Sequence, residues 1–171
     1  MVRALLKSKG MSGHQQPFRG KCDTWLTPPE ILKALGPFDL DPCCPVDMPW
    51  KTAREMIAYP NDGLAINWRG RVWLNPPYGP ETGKWLSRLA DHGRGIALVF
   101  ARTETADWHE HIWQRASAIL FLKGRLHFHD AAGVRAKANA GAPSALVAYG
   151  RHDAIILEQC GIVGKLICLS K

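Results

Sequence analysis

The stretch Val72-Trp73-Leu74-Asn75-Pro76-Pro77-Tyr78-Gly79 decides how this chain is read. Its apolar run has the character of a buried strand, and it stops abruptly at an amide, two prolines and an aromatic ring. Those groups belong at a strand's carboxyl end, where open α/β sheets bind their ligands. Proline fixes its own φ and biases the residue before it toward extended geometry, so Asn75 and Pro76 are held stiffly. The Asn75 side-chain oxygen and the Pro76 carbonyl then make two aimed acceptors for the hydrogens of an NH2 group, which leaves the nitrogen lone pair free to attack an electrophile. Tyr78 adds a ring face on which a planar base can stack.

The chain around this stretch has 171 residues, 46% of them hydrophobic, enough for one well-buried domain and too few for two ordinary ones. With 22 Lys+Arg against 15 Asp+Glu its net charge is +7, which favours a polyanionic partner such as nucleic acid over an acidic small molecule. No apolar run approaches the ~20 residues needed to span a bilayer and no signal-peptide pattern opens the chain, so the expectation is a cytoplasmic protein that does not enter a membrane. Five cysteines without a C-x-x-C pair argue against a disulfide framework. Cys43, Cys44, His127 and His129 lack any recognised ligand spacing, and His109 and His111 do not share a helix face, so no metal is expected.

Residues 1–21 carry Arg3, Lys7, Lys9, Arg19 and Lys21 with no acid and read as a mobile basic arm, leaving 22–171 as a single domain. Thr27 reads as a helix N-cap, with Pro28 at the first helical position, Glu30 closing a capping box, Leu26 and Ile31 as a hydrophobic staple, and a stop at Gly36-Pro37. Phe38 to Asp41 alternates as a short strand that ends in a carboxylate, with Asp39 two residues earlier on the same face. Asp41 then faces the same crevice as Asn75 and is suited to pair with an ammonium group. Met48 to Asn61 gives a weak signal for a short helix and a second strand, and Trp68 reads as core. Glu81 to His92 reads as a helix with Trp85, Leu86 and Leu89 inward and Gly93 as its stop.

Further along, Gly95 to Ala101 reads as an apolar strand whose end points Arg102-Thr103 toward the crevice. Thr105 is placed to cap a helix through Arg115. Ser117 to Leu122 and Pro143 to Tyr149 read as strands, Asp153 to Cys160 as a short capped helix and Ile162 to Leu169 as an edge strand or a packing segment. The segment 123–142 between two of these strands is a strand-like alternation followed by a basic loop. Its Arg125, Arg135, Lys137 and Asn139 include the residue types that read guanine and adenine edges or hold phosphate. Alternating strands and helices followed by a strand pair predict an α/β fold, a mostly parallel sheet with helices on both faces and an antiparallel end.

Asn-Pro-Pro-Tyr resembles the catalytic motif of S-adenosylmethionine-dependent amino-methyltransferases, whose targets are adenine N6, cytosine N4 or a glutamine amide. The wider series is more specific: Trp25-x-Thr27-Pro28, then Asp41-Pro42, Asp62-Gly63-Leu64, Trp68 and Asn75-Pro76-Pro77-Tyr78 resembles the phage-type DNA N-6-adenine methyltransferase family. The resemblance covers roughly residues 23–150. It implies a Rossmann-like methyltransferase that binds S-adenosylmethionine and transfers a methyl group to adenine N6 in DNA. It further implies that Asn75, Pro76, Pro77 and Tyr78 are catalytic, and that Trp25, Thr27, Pro28, Asp39, Asp41, Pro42 and Asp62 hold the cofactor. Arg102, Arg125, Arg135, Lys137 and Asn139 are expected on the DNA. The chain departs from the wider superfamily at Cys43-Cys44-Pro45, where a glycine-rich turn is usual. Two rivals use the same residues differently, a protein glutamine methyltransferase and a non-catalytic nucleic-acid-binding module.

Overall fold

The structure is a computed structural model that describes residues 25–169, and the basic arm expected over residues 1–21 lies outside the described residues. Seven strands form one mixed sheet: β1 (Leu40–Asp41), β2 (Glu55–Met56), β3 (Val72–Leu74), β4 (Gly95–Phe100), β5 (Ala118–Leu122), β6 (Ser144–Tyr149) and β7 (Gly164–Cys168). Their spatial order is β2-β1-β3-β4-β6-β5-β7. From β2 to β4 the pairs are parallel, whereas β6 runs antiparallel to both β4 and β5, and β7 antiparallel to β5. The chain leaves β1 for β2 on one side and returns to β3 on the other, so the order reverses at the β1–β3 boundary. In open α/β sheets that reversal opens a crevice beyond the strands' carboxyl ends.

Strand periodicity divides the core into two layers. Val72, Leu74, Ala97, Val99, Ala145 and Val147 pack on one side with Trp85, Leu86 and Leu89 of α2 (Thr82–His92) and with Trp108 and Ile112. Trp73, Ile96, Leu98, Leu146 and Ala148 pack on the other with Ile31, Leu32 and Leu35 of α1 (Pro29–Leu35) and Leu157 of α3 (Arg151–Gln159). Successive residues of one strand thus serve opposite helical layers, which is why these strands read as continuous apolar runs. Gly93 ends α2 in the left-handed region at φ 71°, as its position after the last periodic residue predicts.

Four local expectations are corrected. Thr27 does not cap α1: Pro28 is the N-cap residue, with no side-chain cap bond, and the helix begins at Pro29. A residue that precedes proline is pushed out of the helical region, and Pro28 accordingly sits at ψ 132°, so the helix cannot start before the second proline. The segment expected as an α-helix over 105–115 is a π-helix at Trp108–Trp113, whose wider turn brings the Trp108 and Trp113 rings to 5.5 Å. Its predicted cap, Thr105, instead donates its hydroxyl to the Arg102 carbonyl. Between Met48 and Asn61 there is only the two-residue β2 and no helix. Finally, α3 starts at Arg151, and Asp153 is no exposed cap but a fully buried carboxylate ion-paired with Arg71 at 2.6 Å.

Candidate active site

The site is assembled where β1, β3 and β4 end. Asp41 is the last residue of β1, Asn75 follows the last residue of β3 and Phe100 closes β4, and all three line one crevice of about 1060 Å³. Trp25, Thr27, Pro42, Asp62, Pro76, Pro77, Tyr78, Lys137 and Asn139 also line it, so most residues singled out in the sequence meet at this edge of the sheet.

The Asn75 side chain is held at its nitrogen and open at its oxygen. Nδ2 donates to the Trp25 carbonyl at 3.4 Å, while Oδ1 is buried without a hydrogen-bond partner. A buried acceptor left unpaired costs the protein ~1–3 kcal/mol, so its presence in a crevice marks a place where a donor is expected to arrive. The turn behind it is braced by Thr82, whose hydroxyl accepts from the Gly79 amide and donates to the Pro77 carbonyl, each at 2.9 Å. Tyr78 lies with one ring face on Phe100 and its hydroxyl donating to the Leu98 carbonyl at 3.5 Å. The residue remains 46% exposed, so the ring is presented to the crevice while burial of its hydroxyl end pushes the phenol's ionisation well above its ordinary value.

Asp41 is 3% exposed. Burial raises its pKa from 3.8 to about 6, against the opposing effect of hydrogen bonds from the Thr52 hydroxyl to Oδ2 and from the Cys43 amide to Oδ1. Cys43 also donates its thiol to the Asn75 backbone carbonyl at 3.4 Å, which links the ends of β1 and β3. Asp62 forms a turn with its own chain, Oδ1 accepting from the Leu64 amide at 2.9 Å. The neighbouring Gly63 lies so close to β1's end that a Cβ there would collide with the Pro42 carbonyl, and Trp68, read as core, is buried and also donates to the Gly63 carbonyl at 2.7 Å. Here a glycine supplies close approach from the far loop, not from the turn after β1.

Pro28, Asp39, Arg102, Arg125 and Arg135 do not line the crevice. Asp39 is taken up by the turn before β3, its Oδ2 accepting from the Arg71 amide at 2.7 Å; it precedes the two-residue β1, so strand alternation does not carry it onto Asp41's face. Arg125 is spent on its own loop, where Nη1 donates to the Ala140 and Gly141 carbonyls at 3.2 and 2.9 Å. That loop folds back over the crevice: Leu26 and His129 exchange two backbone hydrogen bonds, the Trp50 and His129 rings meet edge to face at 5.3 Å, and Lys137 and Asn139 are thereby brought opposite the strand ends. Arg102 is exposed and close enough to Tyr78 to act on its hydroxyl electrostatically. Thr52 and Phe100 were not legible as site residues. Phe100 is marked only by its place at a strand end, and Thr52 lies in a segment with no periodic signal. Among the described residues no group of three or more His, Cys, Asp or Glu is placed to hold a metal ion, and no helix is long and apolar enough to cross a membrane.

The fold and site together define an α/β protein whose crevice opens at the carboxyl edge of its sheet, lined by an amide with an unpaired acceptor, a supported aromatic ring and a buried carboxylate. The chain belongs to the DNA N-6-adenine-methyltransferase (Dam) family, whose model matches residues 16–157. Membership implies, in general terms, methyltransferase activity at adenine N6 of DNA. Neither a curated protein nor a solved structure matches the chain.

Proposed function

We propose that residues 22–171 form one Rossmann-like methyltransferase domain that transfers a methyl group from S-adenosylmethionine directly to N6 of an adenine flipped out of DNA. The observation that carries this reading is Asn75 Oδ1, a buried acceptor without a partner at the end of β3, in the same crevice as the ring of Tyr78. Asn75 Oδ1 and the Pro76 carbonyl, which also accepts no hydrogen bond among the described residues, take the two amine hydrogens and so orient the nitrogen lone pair. Tyr78 stacks on the base. Because a duplex hides N6 in its stack, the nucleotide must leave the helix to reach these groups; the role assigned to Lys137 and Asn139, which line the same crevice from the facing loop, is to contact the DNA.

The donor set suits the cofactor. Asp41 offers a buried carboxylate for its ammonium group, Asp62 an acceptor for its adenine amine, and Trp25, Thr27 and Pro42 the wall between them. Bound there, S-adenosylmethionine supplies an electrophilic methyl on a sulfonium. The reversal of strand order between β1 and β3 supports the Rossmann-like assignment, since it is the feature that places such a crevice. A volume of about 1060 Å³ is at the upper end of small-ligand sites, which suits a cofactor and an extruded base together. The test is to incubate the purified protein with labelled S-adenosylmethionine and unmethylated DNA, digest the DNA and separate the nucleosides. N6-methyl-2′-deoxyadenosine as the labelled product is expected. Label on cytosine N4, or on protein glutamine in place of DNA, would overturn the proposal.

A further inference from the structure

Thr52 has no assigned part in the site, yet its hydroxyl is the one side-chain group hydrogen-bonded to Asp41 among the described residues. Thr52 is 7% and Asp41 3% exposed; they lie 11 positions apart in the chain, and each reaches the crevice lining. Thr52 Oγ1 donates to Oδ2 while the Cys43 amide donates to Oδ1, so each carboxylate oxygen has a single donor and retains a lone pair for an incoming cation. The segment is anchored next to β1, since the Arg54 and Glu55 amides donate to the Phe38 and Asp39 carbonyls.

We infer that Thr52 is the positioning residue of this site: its hydroxyl fixes the Asp41 carboxylate at the end of β1 and holds it in the charged form that a cationic ligand group requires. The inference rests on the reading of Asp41 as the partner of the cofactor's ammonium. Burial alone disfavours an ionised carboxylate, and a hydroxyl donor is the cheapest counterweight that adds no rival charge. The other titratable neighbours do not supply one. The Cys43 and Cys44 thiols beside Asp41 are pushed up by burial, Cys44 to about 11, and stay neutral. Asp62, Asp130 and Lys137 are the remaining acids and base of the lining, with the phenols of Tyr59 and Tyr78.

The experiment is calorimetric titration of the full-length protein with S-adenosylmethionine between about pH 5 and pH 7.5, with folding of each variant checked by thermal melting. In wild type, affinity should fall as pH drops through the ionisation of Asp41. Thr52→Ser should reproduce that profile, whereas Thr52→Val should move its falling limb up by about one pH unit, so that affinity drops about fivefold near pH 6 and about tenfold near pH 5. Thr52→Ala gives the same reading if the valine variant does not fold. A Thr52→Val or Thr52→Ala profile that superimposes on wild type, while Asp41→Asn loses affinity, would overturn the role of Thr52 and leave the reading of Asp41 standing. Unchanged affinity in Asp41→Asn at every pH would remove the ammonium reading itself, and this inference with it.

Discussion

The ring of Tyr78 lies nearly parallel to that of Phe100, centroids 4.3 Å apart and planes 17° from coplanar. One residue ends the motif after β3 and the other ends β4, so the parallel pairing of those strands builds the stack. A base arriving on the free face of Tyr78 would complete a three-ring column, with Phe100 stopping the tyrosine from yielding behind it.

Replacing Tyr78 by Ala should therefore remove ~1–3 kcal/mol of base stacking, whereas Phe or Trp should be tolerated because the hydroxyl's bond to Leu98 is long. Phe100→Ala should raise KM for DNA in the same direction by a smaller factor. Fluorescence of 2-aminopurine at the target position reports the flipped base directly, and an unaltered signal in both Ala variants would exclude the column.

Asn75→Ala should lower methyl transfer by ~10² to 10³, the scale of losing one preorganised polar group at a reacting centre, with cofactor affinity unchanged. Its stability should not fall, because the side chain contributes one long hydrogen bond and one unpaired buried acceptor. Single-turnover kinetics and a urea melt on the same preparation separate the two effects. Wild-type turnover in the variant would end the amine-clamp mechanism.

Asp41 should set function against stability. Its pKa is raised in the folded state, from 3.8 to about 6, so the folded protein prefers the protonated acid; this contribution is fully present below pH 3.8 and is lost as pH rises through about 6. Asp41→Asn should accordingly stabilise the unliganded protein by about 1–3 kcal/mol at pH 7.5 and by little at pH 4, while weakening S-adenosylmethionine binding by ~1.5–3 kcal/mol. Denaturant melts at the two pH values check the first half, and a variant less stable than wild type at pH 7.5 would contradict it.

At the amino ends of the strands, Arg71 pairs with Asp153, donates to the Leu35 and Pro37 carbonyls and lies over the Phe38 ring at 4.1 Å. It thereby ties the end of α1 and the start of β3 to α3. Asp153→Ala should cost ~3–5 kcal/mol, since it strands a buried guanidinium, and the double change Arg71→Met with Asp153→Leu should restore much of that. Urea midpoints for the single and double variants decide the matter.

On the facing loop, Lys137→Ala and Asn139→Ala should alter DNA methylation without affecting the melting temperature, Asn139 by changing which sites are modified and Lys137 by flattening the salt dependence. Arg125→Ala should act differently, by releasing the Ala140 and Gly141 carbonyls, and should show as faster proteolysis across 126–141. Methylation mapped over a plasmid distinguishes a reader from a brace: an identical site pattern for Asn139→Ala would leave it no part in recognition.

Whatever depends on neighbours along the chain is legible in the residues alone. Alternation and continuous apolar runs place β3, β4, β5 and β6, glycine stops end α1 and α2, and the stiffness of Asn-Pro-Pro-Tyr marks a strand end as the candidate site. The same local logic fails where two local rules compete, as at Pro28-Pro29, where the second proline overrides the cap that Thr27 promises. Tertiary structure alone decides the rest. Only pairing between distant strands puts Phe100 behind Tyr78, only the folded-back loop brings Lys137 into the crevice that Asn75 lines, and only burial turns Asp153 from a helix cap into the partner of Arg71. Thr52 is the extreme case: a lone hydroxyl in an aperiodic segment carries no signal until the chain closes it onto Asp41, because a hydrogen bond between residues 11 apart is set by where the backbone goes and not by what stands next to them.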